Sequence, residues 1–302
     1  MDKNKLDFYL ALTLGLVFIL ATFAVLRFQK SPPMTPPSTH RAGPVLSKTM
    51  DQEVLRMSPE RANAVVLGNA IFNQTPRYAR EYAGDALSCT QCHLSGGQQK
   101  GILGLVGVAP QYPDYDPRAG KEITLQQRIQ SCFLRSENGK APPLESQVMK
   151  NMTEYITALS HDQPAGQSPP WRDLDRIPPQ DQIPIGQLNP TRGKQLYGER
   201  CAACHGVEGK PLTGIPPLWG PQSFNDGAGF ARVYALAAFI REAMPLGDSK
   251  SLSLVEAQEI AAYIDSQDRP VFLGKEGDYP DGKIPVDAVY YKKRYPKNPL
   301  RP

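Results

Sequence analysis

The sequence has few of the features that mark nucleic-acid-binding or disulfide-stabilised proteins. Its 302 residues carry a net charge of only +4 and contain no long run of lysine and arginine, so nucleic acid is not expected as a partner. Cysteines number only five. Four of them fall into two short motifs, and the fifth, Cys132, cannot form a disulfide framework by itself. One long stretch without charge is present, the 19 residues from Phe8 to Leu26.

The two cysteine motifs share the pattern Cys-x-x-Cys-His, which is the attachment signature of c-type haem. Two thiols one helical turn apart can each form a thioether with a haem vinyl group, and the histidine that follows then lies under the iron. The sequence therefore predicts two covalently bound haem c groups. A single zinc site with four cysteine ligands is the alternative, but it would have to join motifs 112 residues apart. The predicted haem attachments are Cys89 and Cys92 in the first motif and Cys201 and Cys204 in the second, with His93 and His205 as iron ligands.

A second ligand for each iron is suggested by equal spacing in the two halves. Met244 lies 39 residues after the histidine of the second motif, and Cys132 lies 39 residues after that of the first. Methionine is a common sixth ligand of c-type haem, and cysteine can bind as the thiolate. The spacing therefore predicts Cys132 and Met244 as distal ligands. The alternative for the first haem is Met149 or Met152 as the ligand, with Cys132 as a buried structural thiol.

Matching stretches around both motifs indicate an internal repeat. Residues 68–72 and 193–197 precede the motifs with amphipathic helical spacing, and residues 152–156 and 260–264 follow the predicted distal ligands. The predicted fold is mainly α, with two cytochrome c-type haem domains joined by a Pro-rich linker and preceded by an N-terminal transmembrane segment. We expect these boundaries: 1–30 signal anchor or signal peptide, 31–51 tether, 52–160 first domain, 161–190 linker, 191–267 second domain and 268–302 irregular tail.

The uncharged N-terminal stretch is long enough to cross a membrane. At about 1.5 Å per residue it spans roughly 28 Å, close to the hydrocarbon thickness of a bilayer. It ends at Arg27 without a following small-x-small cleavage pattern, which favours an uncleaved signal anchor over a cleaved signal peptide. Because haem is attached to c-type cytochromes outside the cytoplasmic membrane, residues after 30 are expected on the periplasmic side. A soluble periplasmic protein is the alternative if the segment is cleaved.

Basic side chains flank Cys132. Thr124 and Gln127 form a capping-box pattern, and the helix that it begins carries Arg128 four residues before Cys132 and Arg135 three residues after it. Arginine has forked donors that suit oxyanions, and nearby positive charge favours a thiolate. We therefore expect an anion site beside the first haem. Arginines that are merely solvated on an amphipathic helix are the alternative.

Together these residues resemble the dihaem thiosulfate dehydrogenases, also called tetrathionate synthases, some of which act as tetrathionate reductases. The most specific match is Arg128–Gly139, because Cys-x-x-Cys-His alone occurs in many cytochromes. The resemblance covers about residues 60 to 290. Its other matching parts are Cys89–Leu94, Val106–Ala109 with Tyr112-Pro113, Arg118 in the loop before the capping box, Cys201–Gly206 and Met244–Gly247.

The resemblance implies a Cys/His-ligated active-site haem in the first domain and an electron-transfer haem in the second. Two thiosulfates would be joined to tetrathionate, and the electrons would leave through both haems to an external redox partner, a cytochrome. Ala243 precedes Met244 where some members have a lysine, which favours plain His/Met ligation of the second haem. The residues implied to react with or bind the substrate are Cys132, Arg118, Arg128, Arg135 and Ser136.

Three alternative functions stay open at this point. Tetrathionate reduction would use the same residues in reverse. A membrane-tethered dihaem electron carrier would need two His/Met sites and no sulfur chemistry. A related enzyme would conjugate thiosulfate to a carrier thiol. The electron carrier is distinguished by its prediction that a methionine, and not Cys132, binds the first iron.

Overall fold

The computed structural model of the protein describes residues 46–84, 87–161, 163–164, 166–210 and 214–301. All of them belong to one compact unit of the chain, Pro36–Pro302. Among the helices in these ranges, none is long and apolar enough to cross a bilayer. The segment predicted to span the membrane, residues 8–26, lies outside the described residues, as does most of the predicted tether.

The described residues are mainly helical, as predicted. A small antiparallel sheet pairs β1, Asp114–Asp116, with β2, Lys121–Ile123, and places Tyr115 opposite Glu122. Short 3₁₀ helices connect several of the longer elements. The α-helices are α1 Lys48–Arg56, α2 Pro59–Asn73, α3 Thr75–Tyr78, α4 Leu125–Arg135, α5 Gln147–Ala158, α6 Pro190–Arg200, α7 Ala202–His205, α8 Val233–Ala243 and α9 Leu254–Asp265.

Side-chain caps fix where the principal helices begin. The Gln127 N–H donates to Thr124 Oγ1 at 3.2 Å, and the Thr124 N–H donates to the Gln127 side chain at 2.8 Å, so the predicted capping box begins α4. Ser253 and Glu256 form the same arrangement at the start of α9. The cap fixes where α4 begins, and burial of Leu125, Ile129 and Phe133 fixes which face of the helix turns inward.

Both halves of the chain contain the same close helix crossing. A Cβ on Gly68 of α2 would overlap the carbonyl oxygen of Asn151 in α5, and a Cβ on Gly193 of α6 would overlap the carbonyl oxygen of Glu259 in α9. Glycine is needed at each crossing because the backbones approach more closely than any side chain permits. The pairing of one helix before each haem motif with one after the predicted distal ligand is thus common to both halves.

The predicted linker and the tail, which contain no long helix in their described residues, contribute side chains to the core of the second half. Ile177, Ile185 and Leu188 lie in the predicted linker and are buried against residues of α6, α8 and α9. Val289 and Leu300 of the tail join the same apolar cluster. Burial of these side chains holds the linker and the tail against the helices. Arg172 and Asp175 of the linker are thereby brought to the cavity at the first haem motif, and Asp278 of the tail is brought to Arg135.

Candidate haem and substrate sites

Each Cys-x-x-Cys-His motif folds into a single helical turn. The backbone N–H of His93 donates to the Cys89 carbonyl at 2.9 Å, and the N–H of His205 donates to the Cys201 carbonyl at 3.0 Å. The first turn is a 3₁₀ helix, Cys89–Gln91, and the second is α7. In both, two cysteines stand one turn apart with the histidine next in line, which is the arrangement that two thioethers and one proximal ligand need.

Hydrogen bonds to backbone carbonyls orient both histidines. His93 Nδ1 donates to the Leu103 carbonyl at 2.7 Å, and His205 Nδ1 donates to the Pro216 carbonyl at 3.1 Å. Burial lowers the pKa of both imidazoles, which favours the neutral form that binds metal. Since Nδ1 carries the proton, Nε2 is the nitrogen left to bind iron.

A cavity of about 560 Å³ borders both motifs. Its walls are largely aromatic and aliphatic, which suits the faces of a porphyrin, and all four motif cysteines and both motif histidines reach it. The residues present therefore fit two c-type haems. The apolar side chains that line it include Phe72, Leu105, Ile129, Phe224, Phe239 and Ile264.

Both predicted distal ligands reach this cavity. Cys132 lies on α4, where it interacts electrostatically with the cysteines of the first motif. Met244 directly follows α8. Met152, the rival ligand for the first haem, also borders the cavity and is 2% exposed, whereas Met149 is completely buried within α5. The cavity is thus reached by Cys132 and Met152 from the first half and by Met244 from the second.

Arg128 borders the cavity beside Cys132. Electrostatic interaction with Cys132 raises the pKa of Arg128, so the guanidinium stays charged in this partly buried position. Tyr112 contributes to the raised pKa of the same guanidinium. Ser136, which follows the last residue of α4, also reaches the cavity. A cation and a hydroxyl therefore lie at the same cavity as the thiol, as an oxyanion site requires.

The other two predicted arginines contact residues of the tail. Arg135 makes two hydrogen bonds to the Asp278 carboxylate, at 2.7 and 2.8 Å, and its guanidinium lies 4.3 Å from the centre of the Phe272 ring. Arg118 approaches the same carboxylate, with its Nε 3.8 Å from Asp278 Oδ2. We had expected all three arginines to gather around the thiol. Arg128 lies there, whereas Arg118 and Arg135 are joined through an acidic residue that the sequence analysis did not identify.

Two more acidic residues lie at the first haem site, and neither was predicted from the sequence. Glu137 directly follows Ser136, borders the cavity and is 4% exposed; burial raises its pKa to about 8. Asp175, which ends the 3₁₀ segment Pro170–Asp175 of the predicted linker, also borders the cavity and accepts a hydrogen bond from the Leu103 N–H at 2.8 Å. The position of Glu137 within the Cys132 motif was an available signal. No pattern in the sequence indicated a role for Asp175.

The fold and the two motifs define a dihaem cytochrome of the c type. The family model described as "SoxA/TsdA, cytochrome c domain" matches residues 75–165, and the one described as "Cytochrome C oxidase, cbb3-type, subunit III" matches residues 188–264. Two cytochrome c domains are therefore present, and the protein carries two covalently bound haem c groups.

Comparison with known proteins shows to which family of c-type cytochromes the chain belongs. The chain is 42% identical over 208 residues to the thiosulfate dehydrogenase of Stutzerimonas stutzeri, a match that covers 67% of this chain and 66% of the relative. It is 35% identical over 279 residues to that of Thiomonas intermedia, covering 89% and 87%. The solved thiosulfate dehydrogenase TsdBA of Marichromatium purpuratum matches with a TM-score of 0.66 and 34% identity, over 78% of this chain and 50% of the solved one. The chain belongs to the thiosulfate dehydrogenase family. It spans just under two thirds of the Stutzerimonas relative and half of the solved chain.

Proposed function

We propose that the protein oxidises two thiosulfate ions to one tetrathionate ion and releases two electrons, 2 S₂O₃²⁻ → S₄O₆²⁻ + 2 e⁻. The observation that carries this proposal is the placement of Arg128 beside Cys132 at the cavity of the first haem motif. A doubly charged oxyanion needs a cation, and a new sulfur–sulfur bond can be built on a thiolate. Membership of the thiosulfate dehydrogenase family supports this substrate.

Cys132 has two proposed roles, as iron ligand and as nucleophile. In the first step its sulfur bonds to the outer sulfur of one thiosulfate while two electrons leave, which gives a Cys–S–S–SO₃⁻ adduct. The terminal, non-sulfonate sulfur of a second thiosulfate then attacks the middle sulfur of the adduct, the one that lies between Cys132 Sγ and the sulfonate. The bond to Cys132 breaks, the cysteine leaves as the thiolate and tetrathionate is released. Atoms and charge balance, and no proton is consumed.

The other site residues act on the anion. Arg128 and Ser136, which border the cavity, would donate hydrogen bonds to the sulfonate oxygens. Arg118 and Arg135 can bind the anion only in exchange for Asp278, whose carboxylate they share. Their proposed contribution in the resting protein is to hold the loop before α4 and the end of α4 to the tail.

We propose that His93 and Cys132 would hold the iron of the first haem, and that His205 and Met244 would hold the iron of the second. When bound, each haem would supply a one-electron acceptor. Thiolate ligation lowers a haem potential and methionine ligation raises it, so these ligands favour flow from the first haem to the second. An external redox partner, for which we propose a cytochrome, then receives the electrons.

Dye-linked assays with thiosulfate and, separately, with tetrathionate test the proposal. The wild-type protein should reduce an acceptor dye with thiosulfate. Cys132→Met keeps an iron ligand but loses the nucleophile, so turnover of either sulfur compound should disappear while both haems remain. Met152→Leu is the matched control because it removes the rival thioether. Wild-type turnover in Cys132→Met would contradict the role of Cys132 as nucleophile. Absence of turnover with either sulfur compound in the wild-type protein would support the electron carrier, and turnover of tetrathionate alone would support the reductase.

For location, the proposal is an N-terminal anchor with both haem domains on the periplasmic side of the cytoplasmic membrane. Residues 8–26 are uncharged and are not followed by a small-x-small pattern, which supports retention of the segment. Attachment of haem outside the cytoplasm supports the orientation. Cleavage would instead give a soluble periplasmic protein.

A further inference from the structure

Leu103 has a backbone conformation that a leucine rarely adopts. Its φ is +54°, in the left-handed region, where residues other than glycine, asparagine and aspartate are uncommon. Such a conformation is strained and persists only when its surroundings hold it in place. The surroundings do so from both sides. The Leu103 N–H donates to Asp175 Oδ1 at 2.8 Å, and the Leu103 carbonyl accepts from His93 Nδ1 at 2.7 Å.

A carboxylate of the linker is therefore connected to the proximal histidine of the first haem through the backbone of Leu103. Asp175 is 72 residues from Leu103 in the chain and reaches it because the linker is packed against the helices. Its carboxylate also interacts electrostatically with His93, and Arg172 and Arg176 are the cations that face it. The carboxylate thus influences the histidine through the held backbone and through its charge.

The second haem site lacks this arrangement for a chemical reason. His205 Nδ1 donates to the carbonyl of Pro216, at the longer distance of 3.1 Å. Proline has no backbone N–H, so no carboxylate can hold this residue as Asp175 holds Leu103. In both halves the histidine therefore donates to a backbone carbonyl. The halves differ in that only the residue of the first half, Leu103, has an N–H that a carboxylate can hold.

We propose that Asp175 is a positioning residue that fixes His93 through Leu103 and lowers the reduction potential of the first haem relative to the second. A fixed hydrogen bond from Nδ1 makes the imidazole a stronger ligand, and a nearby negative charge stabilises the more positive oxidised iron. Both effects favour the ferric form. The inference rests on the two haems and not on the identity of the substrate, although it adds to the direction of electron flow in the proposed function.

Two substitutions of Asp175 distinguish the effect of its negative charge from the effect of its hydrogen bond to the Leu103 backbone. Asp175→Asn keeps an oxygen that can accept from the Leu103 N–H and removes the charge, whereas Asp175→Ala removes both. Asp173→Asn is the matched control, because Asp173 is exposed in the same 3₁₀ segment. Redox titration of each purified holoprotein, followed by absorbance and by the ferric electron paramagnetic resonance signals, resolves the two haems.

In Asp175→Asn we expect the potential of the first haem to rise and that of the second to stay. Loss of a group that supports a metal ligand typically changes affinity at least about tenfold. A tenfold change in the ratio of oxidised to reduced haem corresponds to about 59 mV for one electron. Asp175→Ala should in addition alter the resonance signal of the first haem, and Leu103→Gly in that background should restore the signal, because glycine adopts positive φ without strain.

An unchanged first-haem potential in Asp175→Asn would overturn the inference, as would an equal shift of both haems. Either result alongside normal thiosulfate turnover by the wild-type protein would leave the proposed function intact. Conversely, the expected shift in a protein that does not turn over thiosulfate would support the inference and contradict the proposed substrate.

Discussion

Replacing Arg128 and Arg135 by leucine, one at a time, separates substrate binding from stability on a single helix. Both residues belong to α4, yet their contacts differ. Arg128 reaches the cavity beside Cys132. Arg135 forms a two-point ion pair with Asp278, with side chains only 11% and 7% exposed.

The kinetic effect should come from Arg128→Leu. A hydrogen bond to a charged group contributes about 1.5–3 kcal/mol, more than a neutral one. Loss of roughly 2–3 kcal/mol of transition-state stabilisation lowers kcat/KM for thiosulfate by about 30- to 150-fold. Haem content should be unchanged, because Arg128 is neither an attachment residue nor a predicted ligand.

The effect on stability should come from Arg135→Leu. This substitution leaves the Asp278 carboxylate buried without its main partner, and breaking a buried ion pair from one side costs about 3–5 kcal/mol. At roughly 2–4 °C per kcal/mol for a chain of this size, Tm should fall by about 6–20 °C. Arg56→Leu, at a side chain that is 72% exposed on α1, should change Tm little.

Thiosulfate kinetics and thermal unfolding followed by haem absorbance give both quantities for each variant. A large kinetic loss in Arg135→Leu with an unchanged Tm would refute the reasoning, because it would mean that Arg135 exchanges Asp278 for substrate at no cost. Wild-type kinetics in Arg128→Leu would show that this cation is not part of the anion site.

Three further predictions concern the second haem, the helix crossing and the membrane. Met244→Ala should abolish the weak absorption band that marks an Fe–S(Met) bond and lower the potential of that haem; a persisting band would assign another methionine. Gly193→Ala should destabilise the fold by about 1–3 kcal/mol because its Cβ would overlap the Glu259 carbonyl, whereas Gly198→Ala in the same helix, with open space around it, should be neutral or stabilise by up to about 1 kcal/mol; equal Tm values would contradict this. The mature chain should fractionate with membranes and retain residues 8–26, and mass spectrometry that finds a soluble chain starting after about residue 27 would indicate cleavage.

Features that depend on near neighbours in the chain could be predicted. Each haem motif needs five consecutive residues and the capping box of Thr124 and Gln127 needs four, so both are visible without knowledge of the fold. The mainly helical class follows from the same kind of local pattern. The spacing of 39 residues after each motif also identified Cys132 and Met244, and both reach the cavity.

Contacts between distant segments could not be predicted. Arg128 and Arg135 are the same residue type on the same helix, and what separates them is a carboxylate 143 residues after Arg135. Asp278 lies in an irregular tail and Asp175 in a Pro-rich linker, where no hydrophobic period indicates which side chains turn inward. The packing of these segments decides which predicted arginine is available to an anion.

The position of Asp278 affects how strongly the proposed site would bind anions. Substrate and product are both dianions, so a site with three unpaired guanidiniums would bind tetrathionate about as strongly as thiosulfate and release it slowly. Asp278 holds Arg135 by two hydrogen bonds and lies 3.8 Å from Arg118, which leaves Arg128 as the predicted arginine at the cavity. With Arg118 and Arg135 held away, fewer cations face the anion; Arg128 can still orient a sulfonate for attack, and the weaker field lets the product leave. A carboxylate that never touches the substrate would on this reasoning favour turnover over tight binding.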